Sequence, residues 1–361
     1  MPKRVVFVLP ALSGGGAEWV ILQIAGALDR QKFEPILVVL NAVGAMADRI
    51  PPGISVIDLK ASSLRRGLLA LRRALAEADP DAIVSTMGYL NFGVLMAIIG
   101  AVKPACRIVA REANMPAVTI DALRIPLLAR LGYRYLYNRA TAVLCNSRRV
   151  ADELTALGVK KDRLHLVPNP VDEDGLRKAV QKVTETSDTP YFVAAGRLVP
   201  QKGFDRLIEW LSQNREDRPP FTIRILGDGP MKTDLERQIA EADLQDTIRL
   251  EGFSDRPWRT MANARAYLLP SRWEGMSNSA LESLAVGTPV IAHRDAGGIT
   301  ELAEQAGVGA VQVADSGEAF IEAMKKMVTQ GTATEGMRGS LLPAQYRLNS
   351  VTSVYQDIIA G

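Results

Sequence analysis

Residues 266–301 read AYLLPSRWEGMSNSALESLAVGTPVIAHRDAGGITE. An apolar run, Ala266 to Leu269, gives way at Pro270 to a polar loop. Ser277 or Asn278 can then cap a helix pattern that stops at Gly287-Thr288-Pro289, where a second apolar run, Pro289 to Ala292, begins. Strand, loop, helix and strand in this order make a βαβ unit, the building block of a buried parallel sheet. The second run leads into another glycine loop, Asp295-Ala296-Gly297-Gly298, which opens a further helix.

The same rhythm extends outward. Upstream lie short Val- and Ile-rich runs at Tyr191 to Ala195, Thr222 to Leu226 and Thr247 to Leu250. In the first half they recur at Arg4 to Leu9, Pro35 to Leu40, Ile54 to Asp58, Ala82 to Thr86, Arg107 to Ala110, Ala142 to Cys145 and Leu164 to Val167. Amphipathic helical stretches separate most of them. Between Asn169 and Pro190 prolines, charges and the stretch VTETSDTP replace apolar periodicity, which marks a linker. The expected fold class is therefore α/β, with two doubly wound domains, residues 1–172 and 188–343. The chain has 361 residues, 47% of them hydrophobic, which suits two domains of about 100 to 200 residues each.

Composition narrows the function. Lys and Arg number 43 against 40 Asp and Glu, a net charge of +3, so no whole-surface grip on nucleic acid is expected. Only Cys106 and Cys145 are present, far apart, which excludes a disulfide framework and a Cys-rich zinc site and fits a reducing, cytoplasmic setting. The N-terminal run Val5 to Leu12 is short, ends at Gly14-Gly15-Gly16 and lacks a small-residue cleavage site, so it reads as a first buried strand rather than a signal peptide. Phe92 to Val102, 11 residues, falls short of the roughly 20 needed to span a bilayer.

Ligands of open parallel sheets bind beyond the carboxyl ends of the strands, and four loops there carry chemistry. After the first strand, Gly14-Gly15-Gly16-Ala17-Glu18 opens a helix. It is either a tight turn needing glycine or a phosphate contact through Gly15 and Gly16, and with Trp19 in place it is not a dinucleotide fingerprint. In Gly196-Arg197-Leu198-Val199-Pro200-Gln201-Lys202-Gly203, two cations five residues apart suit the two phosphates of a diphosphate. The opening stretch holds Glu274 in a loop and Glu282 inside the next helix, whose N-terminal N–H groups and positive dipole end suit phosphate oxygens. Glu282 is either that helix's solvated stripe or a ligand group. Gly297 and Gly298 form the fourth anion-binding loop.

Gly15-Gly16-Ala17-Glu18, Gly196-Arg197 with Lys202-Gly203, Gly227-Asp228-Gly229-Pro230, Gly252-Phe253, Glu274-x7-Glu282, Gly287-Thr288-Pro289 and Gly297-Gly298 together resemble the retaining glycosyltransferases of family GT4. The resemblance spans nearly the whole chain and implies the GT-B fold: two Rossmann-like domains facing a central cleft, the last helix crossing back to the first domain. Residues 344–361, with an amphipathic pattern from Tyr346 to Ile359, would be that helix. It also implies roles. Arg197 and Lys202 would neutralise the donor diphosphate, Glu274 would hold hydroxyls of the transferred sugar and Glu282 those of the ribose. Gly252 and Phe253 would frame the base, and Gly16, Ser279 and Gly298 would offer N–H groups. The nucleotide sugar, UDP-linked in preference to GDP-linked, would be a co-substrate, with no cofactor and no metal; Asp228 stands alone between glycines rather than in an Asp-rich loop.

One departure concerns the first domain, where many family members place a His beside the reacting sugar. This chain has only His165 and His293, and the corresponding stretch reads Arg111-Glu112-Ala113-Asn114-Met115-Pro116. Glu112 or Asn114 is the candidate for the sugar or acceptor side, with an Arg111–Glu112 ion pair as the structural alternative. His165 reads as packing; His293 is a candidate to line the cleft. Arg65, Arg66, Arg72 and Arg73 among leucines, and Arg124, Arg130, Arg134 and Arg139 among Leu and Tyr from Leu123 onward, are either solvated faces of core helices or basic amphipathic helices for an anionic inner-leaflet membrane.

The expected activity is hexosyl or N-acetylhexosaminyl transfer to a glycan or lipid-linked glycan of a surface polysaccharide such as lipopolysaccharide, in the cytoplasm or peripherally on its membrane. The alternatives are a nucleotide-sugar epimerase or hydrolase, which the poverty of His disfavours, and a non-catalytic nucleotide-sugar-binding protein of a glycan assembly complex.

Overall fold

The structure is a computed structural model; it describes residues 1–121, 125–181, 189–214, 219–329 and 337–361. The chain divides into two units, Met1–Pro170 with Leu348–Gly361, and Val171–Arg347.

The first unit is built on seven parallel strands: β1 Lys3–Ala11, β2 Phe33–Asn41, β3 Ser55–Asp58, β4 Ala82–Thr86, β5 Arg107–Glu112, β6 Ala142–Cys145 and β7 Leu164–Leu166. Their order is β3-β2-β1-β4-β5-β6-β7. The reversal of direction at β1 is the topological switch point at which such sheets bind ligands. Val5 to Leu9 are wholly buried, because β1 lies between β2 and β4 and helices cover both faces.

The last helix, Leu348–Ala360, belongs to this unit. Its Val351, Tyr355 and Ile359, spaced by four, join the core with Val5, Phe7 and Ile21. Its end is tied down by Lys3 Nζ to Ala360 O at 2.6 Å and Arg107 Nε to Ile358 O at 2.7 Å.

The second unit holds six parallel strands: β8 Tyr191–Ala195, β9 Thr222–Leu226, β10 Ile248–Gly252, β11 Tyr267–Leu269, β12 Val290–His293 and β13 Val311–Ala314. They are ordered β10-β9-β8-β11-β12-β13. One face packs Val193, Leu269, Leu281 and Leu284, the other Phe192, Leu207, Ile223 and Leu268.

Two expectations are corrected and one strand is added. The stretch read as a linker contains a helix, Glu173–Val180, which Asp172 caps by accepting from Gly175 N at 3.0 Å. Leu176 and Val180 of that helix pack into the second core, and a two-residue stripe is too short to reveal itself as periodicity; 182–188 of the same stretch lie outside the described residues. The edge strand β13 carries no unbroken apolar run in the sequence because it is four residues long and half exposed. His165 lies exposed on the edge strand β7 rather than packed.

Candidate active site

In the second unit the loops beyond β8, β9, β10, β11 and β12 are knit together. Backbone bonds run from Leu198 N to Asp228 O at 2.9 Å, Gly227 N to Gly252 O at 2.7 Å, Arg272 N to Gln201 O at 2.8 Å and Gly298 N to Gly275 O at 3.1 Å. Two positions require glycine. Gly203 at φ +67 and Gly297 at φ +65 are left-handed, and a Cβ on either would overlap a carbonyl oxygen, of Pro270 and of Glu274 respectively.

This scaffold brings Lys202 and Glu274 into contact. Lys202 ends the short 3-10 turn Pro200–Lys202 after β8, and its Nζ lies 2.6 Å from Glu274 Oε1. Ser271 Oγ donates to the same oxygen at 2.9 Å, and Gln201 Nε2 reaches Oε2 at 3.4 Å. Glu274 is 6% exposed; a buried carboxylate of this kind persists because cation and hydroxyl partners meet it. Arg197, on the same loop as Lys202, projects into solvent.

Helix Asn278–Ala285 follows, capped by Ser277, whose Oγ accepts from Ala280 N at 3.4 Å. Asn278 and Ser279 stand half-buried at its N-terminus and Glu282 half-buried one turn on. Gly252, at φ +79, ends β10, and Phe253 beside it is 70% exposed. Gly297 and Gly298 meet the Glu274 loop as described, so every second-unit candidate sits at the carboxyl end of one sheet.

Two residues that carry this arrangement had no sequence signal. Tyr267, buried in β11, donates through its hydroxyl to Ala195 O at 2.9 Å and also bonds Ser279, with Glu274 and Glu282 near enough to act on it; burial is the main cause that pushes its hydroxyl pKa up. It read only as strand core, although a buried Tyr needs a partner for its hydroxyl. Arg206 donates to Pro270 O and Ser271 O, pairs with Asp295 Oδ2 at 3.0 Å and lies 5.0 Å from the Trp210 ring centroid. A single Arg in an amphipathic helix gives no warning of such a role. His293, 8% exposed, accepts from Asp295 N at 3.3 Å and packs on Trp210; burial first, then the Arg206 charge, lower its pKa.

In the first unit Gly15 is the N-cap of helix Gly16–Ala27 and no side chain caps it. Glu18 is buried against Gly15, and its charge, after burial, raises the Tyr89 hydroxyl pKa. Glu112 departs from expectation. It is 1% exposed, enclosed rather than presented, with Tyr137 OH donating to Oε2 at 2.5 Å and Tyr133 OH at 3.4 Å. Burial pushes its carboxyl up to about 7. Asn91 ties the cluster together, donating to Tyr137 OH and to Arg111 O, each at 3.0 Å.

The Arg111–Glu112 ion pair does not form, because neighbours on a strand point to opposite faces. Arg111 instead reaches Thr86 Oγ1 at 2.9 Å and Asn169 Oδ1 at 2.6 Å. Asn114 is half-buried in the loop after β5, its Oδ1 accepting from Met115 N at 2.9 Å. Met87, in the turn after β4, has φ +74 and ψ 128, a conformation costing about 1 to 3 kcal/mol; the turn delivers Gly88 N to Glu112. Among the described residues no group of three or more His, Cys, Asp or Glu is placed to hold a metal ion, and no helix is long and apolar enough to cross a membrane.

Two family models match successive parts of the chain: glycosyltransferase family 4 over residues 14–174 and glycosyl transferases group 1 over residues 177–338. The chain belongs to the family 4 glycosyltransferases, with the GT-B pair of Rossmann-like units. It is 25% identical over 345 residues, 91% of this chain and 90% of the relative, to a Campylobacter jejuni N-acetylgalactosaminyltransferase whose acceptor is linked to diphospho-undecaprenol. It is 24% identical to an uncharacterized glycosyltransferase of Methanocaldococcus jannaschii, over 61% of this chain and 57% of that protein, so the match spans little more than half of that relative. The Anabaena protein HepE, solved in complex with UDP and glucose, superposes with a TM-score of 0.74 over 99% of this chain and 96% of HepE at 20% identity. Both matched models are glycosyltransferase models, and together they run through the two units.

Proposed function

We propose that the protein transfers a hexose or N-acetylhexosamine from a UDP-sugar, with retention at the anomeric carbon and without a metal, to a glycan or lipid-linked glycan at the cytoplasmic membrane face. The observation that carries this reading is the Lys202–Glu274 pair at 2.6 Å. A sugar nucleotide joins a hydroxyl-rich ring to a diphosphate through one bond. A carboxylate that accepts from hydroxyls, set directly beside an ammonium that meets phosphate oxygens, is complementary to that junction.

As the glycosidic bond breaks toward an oxocarbenium-like state, negative charge grows on the leaving diphosphate. Lys202 and the N–H groups at Asn278 and Ser279 stabilise that charge from fixed positions, and Arg197 adds its charge from the solvent side. Gly297 and Gly298 add N–H groups, Glu282 holds the ribose hydroxyls, and exposed Phe253 with Gly252 frames the base. In the first unit, Gly15 and Gly16 offer the N-terminus of their helix to anionic groups. Asn114 is the acceptor-side candidate at the surface, and Glu112 acts behind it through the tyrosine cluster. Support for UDP and for a lipid-linked acceptor comes from HepE, bound to UDP and glucose, and from the Campylobacter relative.

Transfer assays with Arg197→Ala, Lys202→Ala and Glu274→Ala test the site. Each change is expected to cost roughly 10²-fold or more in rate. Near-unaltered turnover in all three variants contradicts the reading.

A further inference from the structure

We propose that residues 125–135 form a docking surface that seats the first unit on an anionic lipid bilayer. The two basic segments of this unit differ in construction. In helix Leu64–Ala78, Gly67, Leu71, Ala74 and Leu75 face the core, Arg65, Arg66 and Arg73 are exposed, and Leu69 alone among its leucines is exposed. That is an ordinary solvated helix.

The second segment is inverted; its first two residues, Leu123 and Arg124, lie outside the described residues. In Pro126–Leu131 and the turns after it, the small residues Ala129 and Gly132 face inward with Tyr133 and Tyr137. Gly132 is pressed against Phe92, where a Cβ would come within 2.8 Å of the ring. Ile125, Leu127, Leu128, Leu131 and Tyr135 point outward, 41 to 64% exposed. Single exposed apolar residues are normal, but five in eleven consecutive positions make a patch.

Charge selects the partner. From Ile125 to Arg139 the chain has Arg130, Arg134 and Arg139 and no carboxylate, and Arg134 lies over the Tyr135 ring at 5.8 Å. Leucines flanked by arginines and a tyrosine are the chemistry of an interfacial helix: the apolar chains enter the acyl boundary and the guanidinium groups meet lipid phosphates. The inner side of the same segment, Tyr133 and Tyr137, holds Glu112 at the carboxyl end of β5. Docking would therefore place the bilayer beside the ligand-binding end of the first sheet. The proposal rests on the functional reading above for the lipid-linked acceptor alone.

Sedimentation with phosphatidylcholine vesicles, with and without phosphatidylglycerol, tests it on the full chain. Binding is expected only with phosphatidylglycerol. The Leu127→Ser, Leu128→Ser double variant and the Arg130→Gln, Arg134→Gln double variant should each weaken it by roughly tenfold or more. Arg65→Gln with Arg66→Gln should change it by no more than about twofold. Melting temperature and the UDP-sugar-induced thermal shift should stay unchanged in the leucine variant. Absence of vesicle binding, equal binding by all variants, or a leucine-dependent dimer in gel filtration without vesicle binding overturns the proposal. Leucine-dependent vesicle binding with no UDP-sugar shift supports this surface and contradicts the donor reading.

Discussion

Lys202 Nζ and Glu274 Oε1 lie 2.6 Å apart, with the Lys side chain 20% and the Glu side chain 8% exposed. Neither charge stands in bulk water, so each depends on the other. Lys202→Met should leave the carboxylate of Glu274 with only Ser271 and Gln201, lowering stability by about 2 kcal/mol, or about 4 to 8 °C in Tm for a unit of this size. The double change Lys202→Met, Glu274→Gln should be less destabilised than the sum of the singles, because it strands no charge. Thermal melts of the four proteins measure this; strict additivity would show that the pair is not coupled.

Gly297 gives a steric prediction. Its φ of +65 and its approach to the Glu274 carbonyl leave no room for a Cβ. Gly297→Ala should destabilise by roughly 2 kcal/mol or more and weaken donor binding. Gly307→Ala, where a Cβ meets nothing within 4 Å, should leave both near wild type. Calorimetric titration with UDP-sugar alongside melting compares the two.

Tyr267→Phe removes the hydroxyl that links Ala195 O to Ser279. Tyr267 is a positioning residue, and the loss should appear mainly in KM for the donor, with a stability cost of about 1 kcal/mol. A change confined to stability, with KM intact, would assign it a purely structural part.

Glu112 carries a pH signature. Folded, its carboxyl titrates near 7; unfolded, it returns to the ordinary value of 4.5. Between those values the folded chain binds the extra proton, so stability is greatest below 4.5, falls as pH rises through the window, and levels off above about 7. The fall attributable to this group should be up to about 3 kcal/mol. Glu112→Gln, which keeps an oxygen for Tyr137, should flatten that slope in melts taken from pH 4.5 to 8. An unchanged slope would contradict the assignment.

The fold was legible because parallel strands are buried on both faces: Val5 to Leu9 and Tyr191 to Ala195 read as unbroken apolar runs bounded by Gly or Pro. Half-exposed edges such as β13, and a helix as short as Glu173–Val180, do not generate that contrast. Loops bearing Lys202, Glu274 and Gly297 were legible from glycine and charge together. What joins them was not. Arg206 and Tyr267 act through a guanidinium fork and one hydroxyl across distant segments, and residue type alone does not name the partner. The enclosure of Glu112 was illegible for the same reason: its tyrosine partners lie 21 and 25 residues away.

The second unit is proposed to bind a nucleotide diphosphate sugar through Lys202 and Glu274. Thermal shift with UDP, UDP-glucose, UDP-N-acetylhexosamines and the matching GDP-sugars tests it most directly, since a ligand at 100 times its Kd adds about 2.7 kcal/mol of stability. Tm is expected to rise with UDP-sugars, and the rise to be absent or much reduced in Lys202→Ala and Glu274→Ala. No shift with any nucleotide sugar, or an equal shift in both variants, would contradict it.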